Sequence, residues 1–183
     1  MKILGPILEA REFAVRAHGD QKYGDLPYVV HLDEVADIVM QEHMRFYRGL
    51  GLVPAEAVVV AYVHDVLEDT PCTEPHMAEK LGATVARCAA ALADPPGKNR
   101  RERKALLHAR LADLDREVFE HRIILAVKAA DRLANLRRSA ANNPGLLKMY
   151  REEAPAFRIA VFRPGLCDYL WADIDKLTAG STS

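Results

Sequence analysis

His64-Asp65 and Glu68-Asp69 close a segment that is otherwise almost wholly apolar. Ala55-Glu56-Ala57-Val58-Val59-Val60-Ala61-Tyr62-Val63 leads in, and Val66-Leu67 separates the two polar pairs. A helix that is apolar on most faces is a buried helix. An imidazole and three carboxylates placed there without partners would be strongly unfavourable, so the segment calls for a compensating charge. A divalent cation is the simplest compensator, and His31 and Asp131 offer two further ligands.

On a continuous helix His64 would stack with Glu68 and Asp65 with Asp69, giving one polar stripe. Asp131 has a similar setting in Val127-Lys128-Ala129-Ala130-Asp131-Arg132-Leu133-Ala134-Asn135-Leu136, where Asn135 lies one turn on and points the same way. Two His and two Asp form a mixed imidazole and carboxylate shell that suits Mn²⁺, Fe²⁺, Co²⁺ or Zn²⁺. Such an ion keeps positions open for water and a phosphate oxygen, can acidify the water and can neutralise charge on phosphorus. Glu68 and Asp69, beside the ligands but not needed as ligands, are placed to orient that water and move its proton. The chemistry indicated is metal-dependent phosphate-ester hydrolysis. His18, His43, His76, His108 and His121 have no carboxylate partner in an apolar setting and read as structural or surface residues.

The elements that must position these groups read as helices. Ile7, Leu8, Ala10, Phe13, Ala14 and Ala17 have helical spacing and run into a polar loop from Gly19 to Pro27. A second helix follows His31 through Val35, Ala36, Ile38, Val39 and Met40, and Pro54 suits the first turn of a third. Thr73-Glu74-Pro75 opens a short helix that ends near Leu81-Gly82 with the glycine as its C-cap, and Ala83 to Ala93 is a small-residue helix. The charged run Lys98 to Lys104 opens another, Glu117 to Ser139 is the longest periodic stretch, and residues 146–160 and 166–177 form two more. Thr178 to Ser183 reads as a frayed tail. Strand signals are nearly absent, so the expectation is an all-α bundle of about eight helices. It is read as one domain over 1–183, with a motif-bearing core at about 9–139.

Composition excludes several classes. A net charge of −1 over 183 residues leaves no electrostatic footprint for a nucleic-acid polymer or an anionic membrane. No apolar run approaches the ~20 residues that span a bilayer. Met1 to Pro6 is too brief for a signal-peptide core. Cys72, Cys88 and Cys167 are odd in number and widely spaced, which reads as reduced thiols in a cytoplasmic protein. The expected partner is a small-molecule nucleotide, and a homo-oligomer stays open.

His31, His64-Asp65 and Asp131 reproduce the H…HD…D order of the HD phosphohydrolase superfamily. Three longer segments narrow the resemblance: Ala17-His18-Gly19-Asp20-Gln21-Lys22 with Pro27-Tyr28-Val29-Val30-His31, His64-Asp65-Val66-Leu67-Glu68-Asp69-Thr70, and Lys128 to Leu136. Together they resemble the hydrolase domain of RelA/SpoT-type enzymes, and within it the small alarmone hydrolases. The resemblance implies a helical HD fold, a single Mn²⁺ and removal of the 3′-diphosphate from (p)ppGpp. It further implies metal binding by His31, His64, Asp65 and Asp131, water handling by Glu68 and Asp69, and nucleotide contact by Asn135. Lys22 and Lys128, embedded in the motif segments, are the candidate phosphate holders. The basic segment Lys98 to Lys104 is a further candidate, with a solvated helix start as its bland alternative.

The departures from the family lie on the base side. Its members usually carry a basic pair before the Pro-Tyr, where this loop reads Gln21-Lys22-Tyr23-Gly24-Asp25-Leu26, and the family's proline after the first metal histidine is Leu32. Two other readings therefore stay open: an HD phosphohydrolase of another nucleotide or small phosphorylated metabolite, and a non-catalytic, metal-stabilised alarmone-binding module.

Overall fold

A computed structural model describes residues 4–46 and 53–179. Residues 1–3 and 180–183, which belong to the N-terminal segment and the tail discussed above, lie outside the described residues. The helices are α1 (Leu4–His18), α2 (Val29–Phe46), α3 (Glu56–Val63), α4 (Val66–Asp69), α5 (Glu74–Leu81), α6 (Ala83–Leu92), α7 (Arg100–Ala112), α8 (Phe119–Asn142), α9 (Pro144–Val161) and α10 (Asp168–Thr178). The all-α expectation holds, with more helical segments than the expected eight or so. A two-residue antiparallel hairpin, β1 (Lys22–Tyr23) and β2 (Leu26–Pro27), sits in the stretch expected to be loop.

The centre of the fold is α3, where every residue from Ala57 to Val63 is buried. Its all-round apolarity is what lets it pack against α1, α2, α6 and α8 at once. The middle of α8 is buried continuously from Ile123 to Ala130 and lies against α2, α3 and α6 on one side and α9 and α10 on the other. Local signals set the boundaries. The Asn99 side chain caps α7 by accepting from the Glu102 N–H, while the Glu102 carboxylate accepts from the Lys98 N–H at 2.7 Å. Asn143 ends α8 and caps α9 through the Leu146 N–H, so one residue turns the corner. Gly82 joins α5 to α6 at φ +93°, a conformation that other residues rarely adopt.

One expectation fails at a decisive place. Residues 56–69 are not one helix: α3 stops at Val63, His64 and Asp65 form a turn, and Asp65 (φ −99°, ψ −6°) starts α4. The His64 ring turns back on its own helix, with Nδ1 2.8 Å from the Ala61 carbonyl oxygen. The stacking of His64 on Glu68 is therefore absent. Val66 anchors α4 in the core, while Glu68 and Asp69 stand exposed at its rim instead of being buried. Only His64 of the four polar residues is fully buried, at 1% exposure.

Candidate metal centre and cleft

Three helical frames bring the candidate ligands to one point. The first turn of α2 carries His31, whose N–H donates to the Tyr28 carbonyl at 2.9 Å. The α3–α4 turn carries His64 and Asp65, and the middle of α8 carries Asp131. Ligand atoms of His31, His64 and Asp65 all lie within 4.8 Å of one another. Asp131 closes the fourth side, with Oδ1 3.5 Å from His31 Nε2 and 3.8 Å from His64 Nε2. Asp65 Oδ2 is 3.0 Å from His64 Nε2 and 3.6 Å from His31 Nε2.

The donor set fits a divalent cation. His64 Nε2 is buried and has no aligned hydrogen-bond partner despite its short distance to Asp65. Two imidazole nitrogens and two carboxylates converge on one space, as the ligands of one ion do. The Nδ1 contact to Ala61 orients the His64 ring so that Nε2 faces the cluster, as an outer-layer carbonyl does for a metal histidine.

Electrostatics give the same picture. Burial alone would push the His64 imidazole down, but Asp65 beside it and Asp131 outweigh burial and raise it to about 10. The same carboxylates raise His31 against its burial. Burial works against ionised Asp65 as well, yet the imidazoles hold it well below the usual carboxylate range. For Asp131 burial is again overcome, first by Lys128 and then by the imidazoles. An ion bound here would compete with protons for the imidazoles.

Around the ligands sits a layer that the sequence only partly announced. The Tyr28 hydroxyl donates to Asp65 Oδ2 at 2.6 Å and lies 3.1 Å from Asp69 Oδ2, linking a ligand to a rim acid. The His18 ring, read from the sequence as background, is buried and stacks on Tyr28 at 4.3 Å. Gln21 Nε2 reaches Asp69 at 3.5 Å. Pro27-Tyr28 was the available signal, an aromatic set three residues before His31. His18 and Gln21 lie in the Ala17 to Lys22 segment that carries part of the resemblance, but their types alone gave neither a role.

The other expected site residues separate. Lys128 is buried and its Nζ lies 3.2 Å from Asp131 Oδ2. Asn135 donates from Nδ2 to both the Asp131 carbonyl at 3.0 Å and Asp131 Oδ1 at 2.5 Å, as its one-turn spacing suggested. Glu68 Oε2 accepts from the Asp94 N–H at 2.9 Å, and protein packed about its carboxyl raises its proton affinity. Lys22 stands exposed on β1, outside the cluster's contacts. From the basic segment, Arg100 and Lys104 line a cleft of about 70 Å³ together with Lys128, Asp131, Arg132 and Asn135.

No protein-family model matches the chain. It is 33% identical over 136 residues to the guanosine-3′,5′-bis(diphosphate) 3′-pyrophosphohydrolase MESH1 of Danio rerio, covering 72% of this chain and 67% of that protein. With human MESH1 the identity is 31% over 134 residues, covering 72% and 68%. The chain belongs to the MESH1-type hydrolase family. The Haemophilus influenzae enzyme named guanosine-3′,5′-bis(diphosphate) 3′-pyrophosphohydrolase is 29% identical over 136 residues, a stretch that is 74% of this chain but 18% of that protein. A solved structure, described as a metazoan orthologue of SpoT that hydrolyses ppGpp, superposes with a TM-score of 0.76 at 21% identity, covering 94% of this chain and 93% of its own, and bears on the fold. In the base-side loop the Tyr23 hydroxyl donates to Asn135 Oδ1 at 2.8 Å. No helix among the described residues is long and apolar enough to cross a membrane.

Proposed function

We propose that this chain is a metal-dependent hydrolase that removes the 3′-diphosphate from (p)ppGpp, with His31, His64, Asp65 and Asp131 as the ligands of one divalent ion, Mn²⁺ foremost. The observation that carries the reading is the buried His64 Nε2, which has no aligned hydrogen bond and is directed with His31 and two carboxylates at one space, with Glu68 and Asp69 at its rim. A divalent ion held there supplies Lewis-acid charge, which acidifies water and offsets charge on phosphorus. The protein's own groups do the rest. Glu68, whose proton affinity is raised by its surroundings, accepts the proton of the attacking water. Asp69, tied to Tyr28 and Gln21, orients that water. Attack on the phosphorus that bears the ribose 3′-oxygen breaks that P–O bond, releasing pyrophosphate and leaving GDP or GTP. The diphosphate lies along the Arg100, Lys104, Lys128 and Arg132 wall, whose cations are paired here with Glu153, Asp94 and Asp131 and would exchange those carboxylates for phosphate oxygens. The substrate is a small nucleotide, and the protein works in the cytoplasm.

The test pairs metal analysis with a substrate screen. Purified protein should hold about one equivalent of Mn²⁺, falling towards zero in His64→Ala. It should release equal amounts of pyrophosphate and GDP from ppGpp, and little from the adenine counterpart or from ordinary mono-, di- and triphosphates. Release from the ordinary nucleotides alone would replace the alarmone reading with a broader phosphohydrolase. Bound metal without turnover of any of them would replace it with a binding module.

A further inference from the structure

The two histidines of the cluster are held in different ways. His64 Nδ1 meets the Ala61 carbonyl at 2.8 Å. His31 Nδ1 is buried and has no hydrogen-bond partner among the described residues. A metal-ligating imidazole almost always has its second nitrogen anchored by an acceptor, because a ring free to rotate loses its aim. His31 is instead clamped by rings: Tyr23 stacks on it at 4.6 Å with an interplanar angle of 30°, and Tyr28 meets it edge-on at 5.7 Å.

Tyr23 has a second grip on the cluster. Its hydroxyl donates to Asn135 Oδ1 at 2.8 Å, and Asn135 directs Nδ2 at the carbonyl and carboxylate of Asp131. One side chain on the β1–β2 hairpin thus reaches candidate ligands on α2 and α8. The hairpin is itself held: the Arg138 guanidinium lies 5.5 Å from the centre of the Tyr23 ring, and its Nη2 donates to the Tyr23 carbonyl at 3.5 Å.

We propose that Tyr23 is a positioning residue for the metal centre, aiming His31 through its ring and Asp131 through Asn135. A residue of the base-side hairpin then serves the metal. This inference rests on the ligand set proposed above, and not on the identity of the substrate.

Tyr23→Phe keeps the ring and removes the hydroxyl, and Tyr23→Leu removes both contacts. Mn²⁺ titration followed by the paramagnetic resonance signal of the free ion measures affinity without turnover. Outer-layer substitutions at metal sites typically cost about 10–100-fold in affinity or activity. Tyr23→Phe is expected near the lower figure and Tyr23→Leu near the upper one, with the bound-ion spectrum altered in both. Melting curves in chelator should coincide for wild type and Tyr23→Phe, which separates aim from folding. At saturating Mn²⁺, kcat on ppGpp should fall while KM stays within about twofold of wild type. Mn²⁺ affinity within twofold of wild type in both variants would overturn the positioning role, even if the wild type hydrolyses ppGpp. Weakened Mn²⁺ binding in variants of a wild type that turns over no ppGpp would uphold the positioning role and refute the substrate.

Discussion

Replacing Lys128 with methionine keeps most of the stem and deletes the ammonium that faces Asp131. Nζ and Asp131 Oδ2 are 3.2 Å apart, and the two side chains are 9% and 14% exposed. At that separation two unit charges attract by about 5 kcal/mol at an effective dielectric of about 20. Desolvation offsets part of this, but deleting one member of a buried pair leaves the other uncompensated and typically costs about 3–5 kcal/mol. Burial disfavours the charged ammonium, yet Asp131, Asp65 and Glu68 together hold it above its ordinary value, so three carboxylates lose a counter-charge at once. In chelator, urea unfolding of Lys128→Met should show a loss of about 3 kcal/mol, a large share of the roughly 5–15 kcal/mol typical of a domain. Saturating Mn²⁺ should shrink the deficit, since an ion on Asp131 takes over the compensation. A loss below about 1 kcal/mol in chelator, or a deficit that grows with Mn²⁺, would refute the view that Lys128 balances the carboxylates.

Glu68→Gln and Asp69→Asn should keep the metal and lose about 10²–10⁴-fold in kcat, because shape is preserved while the proton-accepting charge is gone; near wild-type kcat in either, measured by pyrophosphate release, would make that residue structural. In chelator, stability should fall as pH rises. His64 is raised from 6.5 to about 10, so its contribution is full below its unfolded value and is lost as pH climbs through the folded one. His31 is raised in the same direction and adds to the trend. Melting temperatures in EDTA should therefore drop between about pH 7 and 10, and a flat profile over that range would show that the imidazoles do not hold protons against Asp65 and Asp131.

Much of this protein is legible along the chain because the relevant forces are local or periodic. The apolar run before His64 could only be a buried helix, and α3 is the centre of the fold. Pro-Pro-Gly after Asp94, Asn99 and the Asn142-Asn143-Pro144-Gly145 corner punctuate helices for reasons of backbone geometry alone. Asn135 lies beside Asp131 because residues one turn apart share a face. The convergence of His31, His64 and Asp65, with Asp131 beside them, was inferred from charge compensation, since four polar groups in apolar helices needed one another.

What tertiary structure decided is whatever depends on contacts between distant segments. The turn at His64-Asp65, between α3 and α4, is not written in that stretch by any breaker residue. Glu68 and Asp69 stand exposed after that turn, with Asp69 still linked to Asp65 through the Tyr28 hydroxyl, which no count of residues could foresee. The Tyr28 bridge between Asp65 and Asp69, the stacking of His18 behind it and the Tyr23 link to Asn135 join residues 37, 41, 10 and 112 positions apart. A side chain's partner at such separations is set by packing of whole helices, and the sequence carries it only through the sum of all its contacts.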